Sequence, residues 1–138
     1  MGLDILFVHP NASNKIYQGL SKISAIEPPM WAAMLANHCR LVPKNNFGVQ
    51  ILDCEAELLS WEDSAKTIDD INPRVACFVV YGQQPSASSQ NMTGAIGTAK
   101  ELKKLNPNIK TLYVGGHISA LPLEVLKEDS VDMVCQNE

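Results

Sequence analysis

Five short apolar runs, each parted from the next by a polar or helix-like stretch, constrain this chain more than any other feature. They are DILFV at residues 4–8, FGVQILD at 47–53, VACFVVY at 75–81, IKTLYV at 109–114 and VDMVC at 131–135. Each has strand length, and three are apolar almost throughout. Such runs mark strands covered on both faces rather than alternating half-exposed ones. The order reads β-α-β-α-β-α-β-α-β, which implies right-handed crossovers and a parallel sheet. Five strands in this arrangement predict an α/β, flavodoxin-like (Rossmann-like) doubly wound sheet of order 2-1-3-4-5. Residues 75–81, the most apolar run, belong at its centre, between the first and fourth strands. No helix follows the fifth strand, so residues 1–138 read as one domain taken from a longer chain.

Local signals place the helices. Pro28-Pro29 opens one at residues 30–40, because proline's missing N–H has no partner in a first turn anyway. Met30, Trp31, Met34, Leu35 and His38 make one face of it. Ser60, with Asp63 three residues on, begins a second in the manner of a capping box; Asn72-Pro73 ends it. A third is expected at 89–105 before Asn106-Pro107, and a short one at 123–127. Residues 11–27, rich in Asn, Ser, Gly and Lys, form a long packed loop.

A net charge of −4 with acids and bases interspersed leaves no basic stripe for nucleic acid. No apolar run approaches the ~20 residues that span a membrane, and no signal-peptide pattern opens the chain. The expected setting is therefore cytoplasmic, without membrane or nucleic-acid partners. Cys39, Cys54, Cys77 and Cys135 show no C-x-x-C pair, so a zinc or iron–sulfur site within the chain is not expected. Cys77 and Cys135 read as buried thiols.

In an open α/β sheet the ligand edge is where the strands end at their carboxyl termini. Here that rim collects residues 9–27, 53–59, 81–90, 115–121 and 136–138. Acidic residues after the first strand, with an Asp and a Lys ending the third and fifth, would mark a phosphoacceptor domain. Those places hold His9, Tyr81 and Gln136. The Asn11-Ala12-Ser13-Asn14 run is a poor flavin phosphate loop, and neither G-x-G-x-x-G nor G-x-x-x-x-G-K-[ST] occurs. The rim instead carries hydroxyls, amides and bare backbone, chiefly GQQPSASSQ at 82–90 and Gly115-Gly116-His117. Such a lining suits a large neutral ligand.

Four stretches, ILFVHPNAS, IEPPMWAAMLA, VVYGQQPSASSQNM and VGGHISALP, together with a terminal VDMVCQNE where relatives carry V-x-G-E, resemble the N-terminal cobalamin-binding domain of cobalamin-dependent radical SAM enzymes. The resemblance runs over essentially the whole chain. It implies that the nucleotide tail of cobalamin threads between the loops after the third and fourth strands, at Tyr81, Gly82, Gln83, Ser86, Ser88, Gly115 and Gly116. The corrin ring would lie over the 9–17 loop, with His9, Asn11 and Tyr17, and over His117. Better-known cobalamin domains carry D-x-H-x-x-G with a His on cobalt, but Phe7 stands here where the Asp would be, so no such ligation is expected. The resemblance further implies a partner domain that binds S-adenosylmethionine and a [4Fe-4S] cluster through C-x-x-x-C-x-x-C, which this chain lacks. Methyl transfer or a related radical reaction, such as a cyclisation, would belong to the parent methyltransferase or cyclase, with no catalytic residue here.

Blander readings stand beside these. A non-catalytic ligand-binding or regulatory interaction domain would show the same fold. Ser86, Ser88 and Ser89 are also turn and cap residues, and His117 serves equally for cofactor contact or for fixing its loop. His9, at a strand end beside Pro10, is expected to make one local hydrogen bond. His38 reads as structural, Asp53 and Glu55 as a solvated loop, and Trp31 and Trp61 as packing residues.

Overall fold

The computed structural model describes residues 2–12, 26–42, 46–82 and 85–136. Five parallel strands form one sheet: β1 (Ile5–His9), β2 (Val49–Asp53), β3 (Val75–Val79), β4 (Lys110–Val114) and β5 (Met133–Cys135). Their order is β2-β1-β3-β4-β5. The expected topology is therefore the one observed, with β3 between β1 and β4.

The run VACFVVY earns its central place by burial on both faces. Ala76, Phe78 and Val80 face one side, where they join Leu6, Val8 and Tyr113. Cys77 and Val79 face the other with Phe7. Phe78 and Tyr113 stack at 5.1 Å between ring centres.

Helices cover both faces unequally. The helix α1 (Met30–Leu41) lies on the Phe7 side. On the opposite side lie α2 (Trp61–Ile71), α3 (Pro85–Leu105), α4 (Gly116–Ala120) and α5 (Pro122–Val125). At the start of α2, Ser60 Oγ accepts from the Asp63 N–H at 3.0 Å and donates to the Asp63 carboxylate at 2.7 Å. Asp63 thus answers the cap by accepting from the Ser60 hydroxyl, and that bond lowers the pKa of its carboxyl. Asn72 ends α2 in the left-handed conformation (φ 51°), which asparagine tolerates.

Five expectations are corrected. Of the face of α1 expected from Met30, Trp31, Met34, Leu35 and His38, Met30, Met34 and His38 are turned outward, Trp31 lies half-exposed on Tyr81 and only Leu35 packs on the sheet, beside Ala32, Ala36 and Cys39. Small side chains let the helix sit close to the sheet, which outweighs the larger area of the other stripe. The helix α3 begins at Pro85, four residues early, because proline fits a first turn. Residues 116–120 form a helical turn rather than a loop. The run at 131–135 pairs only from Met133, and Cys135 is exposed, because β5 is an edge strand without a described helix over that face. Glu55 is not a freely solvated acid but pairs with His9.

Candidate functional site

Three strand ends converge at the carboxyl edge. Pairing of β3 with β4 continues one step past Val79, through Val80 N–H to Val114 O at 2.8 Å. Beyond it the chains diverge into α3 and α4, and Ser88 fastens the fork. Its hydroxyl donates to Val80 O at 2.5 Å and accepts from the His117 N–H at 2.9 Å, with the residue 2% exposed. One residue along, Ser89 Oγ lies 2.8 Å from His117 Nδ1, which orients that ring at the rim. Asn91 Nδ2 donates to Tyr81 O at 3.1 Å and holds the outgoing end of β3. The start of α3 therefore acts as a clamp, a role that its crowded serines did not reveal while they were read as loop.

The paired glycines differ in kind. Gly115 has φ 153° and ψ 172°, a region open essentially to glycine alone, and a Cβ there would strike Val80 O. The fold itself requires this glycine. Gly116 has no such demand on it: its residue is exposed, and a Cβ would meet only Ser88 at 3.8 Å, an ordinary contact. Its bare backbone faces the rim.

Across the sheet, on the α1 side, a second group forms. His9, 6% exposed, places Nε2 3.3 Å from the Glu55 carboxylate at the end of β2. Tyr81 stacks on Trp31 at 4.6 Å between ring centres. His9, Tyr81 and Gly82, with residues at the entry of α1, line a cavity of about 190 Å³. Asn11 is buried: its Nδ2 donates to Leu59 O, and its carbonyl accepts from Trp61 Nε1, both at 3.1 Å. This fixes the first residues after β1 against α2.

The expected site residues thus fall into two groups. Ser88, Gly115, Gly116 and His117 meet between β3 and β4; His9, Tyr81 and Gly82 meet under α1. Asn11 joins neither. Ser86 lies in the first turn of α3, while Tyr17 and Gln83 lie outside the described residues. Glu55 and Ser89 were missed as partners of the two histidines. Glu55 is 46 residues from His9 in sequence, and only the parallel register of His9 with Asp53 brings them together.

The fold defines a doubly wound domain that gathers hydroxyls, two histidines and bare glycine backbone at the carboxyl ends of its strands. A family model described as the B12 binding domain matches residues 19–138, and the chain belongs to that family. Membership assigns a corrinoid, cobalamin, as the ligand class. The match begins beyond β1, so it does not include His9. No curated protein and no solved structure matches the chain. The rim fits such a group: its hydroxyls offer hydrogen bonds without charge, and a Cβ at Gly116 would meet only an ordinary contact, so its uncovered backbone is not required by packing. No described helix is long and apolar enough to cross a membrane.

Proposed function

We propose that this chain is the corrinoid-holding module of a cobalamin-dependent radical SAM enzyme, positioning cobalamin for methyl transfer or a related radical reaction in a partner domain. Gly116 carries the reading. It is a glycine with no steric or conformational need in the fold, set beside His117 at the ligand edge. The nucleotide tail would pass over Gly116 between the ends of β3 and β4, with Tyr81, Gly82, Gln83 and Ser86 as its further contacts. The corrin would lie toward His117 and the first loop, where Tyr17 and Asn11 belong. Ser88 and Gly115 would act by shaping this edge, since their own groups are engaged within the protein.

When bound, the corrinoid supplies the cobalt chemistry; the protein contributes binding and orientation. The direct test is the parent coding sequence beyond Glu138. A C-x-x-x-C-x-x-C triplet there, with cluster-dependent cleavage of S-adenosylmethionine by the full chain, is the expected result. A parent lacking the triplet would remove the radical SAM assignment while leaving the family intact.

A second reading, a non-catalytic ligand-binding or regulatory interaction domain, draws on the outward apolar face of α1, where Met30, Trp31, Met34 and Leu41 are exposed. It predicts that a natural partner protein binds and that substitution of Met34 by Glu breaks the complex.

A further inference from the structure

The helix α1 differs from the other long helices in what it shows to solvent. The exposed side of α2 carries Glu62, Asp63, Lys66 and Asp70, and that of α3 carries Lys100 and Lys104. No Asp, Glu, Lys or Arg occurs between Glu27 and Arg40. The outward side of α1 is built instead from Met30, Met34, Asn37, His38 and Leu41, with Met30 60%, Met34 58% and Leu41 69% exposed. A helix resting on a sheet by one side normally turns charge to water on the other. Residues 30, 34, 37 and 41 advance by alternating steps of four and three, the rhythm of a seam that packs on another helix. Ala32, Leu35, Ala36 and Cys39 already hold α1 to the sheet, so this second stripe is spare within the chain.

The ends of α1 say what covers it. Glu27, half-buried, precedes the first turn, and Arg40 is exposed in the last. Among the described residues Arg40 makes one long hydrogen bond, to Val49 O at 3.5 Å, which leaves other guanidinium donors for a partner. With a second copy laid antiparallel on this face and a two-fold axis at Met34, the Glu27 end of each copy meets the Arg40 end of the other. Opposite charges and opposite ends of the helix dipoles then face each other. The middle of the seam holds no charge to repel its own image. A parallel pair would set Arg40 against Arg40. This face exposes on the order of 500 Å² per copy, so a pair buries ~1,000 Å², the lower bound for a specific interface. That size suits a weak, reversible dimer.

We propose that the outer face of α1 binds the same face of a second copy, as an antiparallel helix pair across a two-fold axis. The partner is the chain itself. The proposal therefore stands apart from the corrinoid reading and from the regulatory one, which needs a different protein.

Sedimentation equilibrium of the purified chain, without cobalamin, is the test. It should show a monomer–dimer equilibrium with a Kd on the order of 10–100 μM. Met34→Glu sets two like charges at the axis and should weaken pairing by at least about tenfold. Leu123→Glu, at a position 75% exposed on the other side of the sheet, should leave it unchanged. Arg40→Glu should weaken pairing severalfold. Glu27→Lys combined with Arg40→Glu should restore it, since the swap keeps opposite charges facing. Circular dichroism of every variant should match wild type, because none of these side chains belongs to the core. A chain that stays monomeric at ~1 mM would overturn the proposal, as would a dimer that Met34→Glu leaves intact. A double variant no tighter than Arg40→Glu alone would overturn the antiparallel pairing and the proposal with it.

Discussion

Replacing each of two adjacent glycines by alanine should have opposite consequences, and the structure sets the size of the difference. At Gly115 the backbone (φ 153°, ψ 172°) is one that alanine adopts at a cost of about 1–3 kcal/mol. The added Cβ also meets Val80 O, and forcing an atom into a packed site costs roughly another 1–3 kcal/mol. Gly115→Ala should therefore destabilise by about 4 kcal/mol, a large part of the ~5–15 kcal/mol available to a domain. With a urea slope of ~2 kcal/mol per molar, its unfolding midpoint should fall by about 2 M. Gly116→Ala adds a Cβ in ordinary contact with Ser88, at the first position of α4. Stability should hold or rise by up to ~1 kcal/mol, because glycine's extra freedom in the unfolded chain is removed. Urea unfolding followed by circular dichroism measures both. A Gly115→Ala protein as stable as wild type would refute the reasoning, as would a Gly116→Ala protein weakened to the same extent.

Ser88→Ala leaves Val80 O and the His117 N–H without their shared partner; at ~1–3 kcal/mol per buried group left unpaired, urea unfolding should report a loss of about 3 kcal/mol. Burial acts to raise the Asp132 carboxyl, but bonds from Lys103 Nζ and from Thr111 outweigh it and hold the group at about 2, against an ordinary 3.8. A depressed folded-state value adds stability that is fully present above the unfolded value and lost as pH falls toward the folded one. Stability should thus drop between pH 3.8 and about 2, by ~2 kcal/mol from this group. Asp132→Asn should flatten that slope, and an unchanged slope would remove the assignment. His9→Ala should bind cobalamin with a wild-type absorption spectrum, because its Nε2 is engaged by Glu55; a clear spectral change would make His9 a cobalt ligand.

The sheet was legible because its strands are short, apolar and evenly alternated with helices; strand order followed from that rhythm alone. What escaped has a physical pattern. Periodicity finds a large apolar stripe on α1, yet packing selected the small one of Ala32 and Ala36, since closeness to the sheet depends on side-chain size. Polar residues 85–90 read as loop because serine is a poor helix former, while in place Ser88 is held by backbone groups of β3 and α4. The glycine pair was found as a pair, but only the backbone angles and the position of Val80 O separate Gly115, which the fold needs, from Gly116, which it does not. The His9–Glu55 pair could not be read at all, since it depends on register between β1 and β2.

The central claim is that the carboxyl edge over Gly116 holds a corrinoid. Its most direct measurement is the visible spectrum of the chain after incubation with hydroxocobalamin and desalting, for wild type and for Gly116→Val. The account predicts a pink wild-type protein with near-stoichiometric corrinoid, and a colourless Gly116→Val protein whose circular dichroism and unfolding midpoint stay close to wild type. A wild-type protein that desalts colourless, or a folded Gly116→Val protein that retains as much corrinoid, would contradict it.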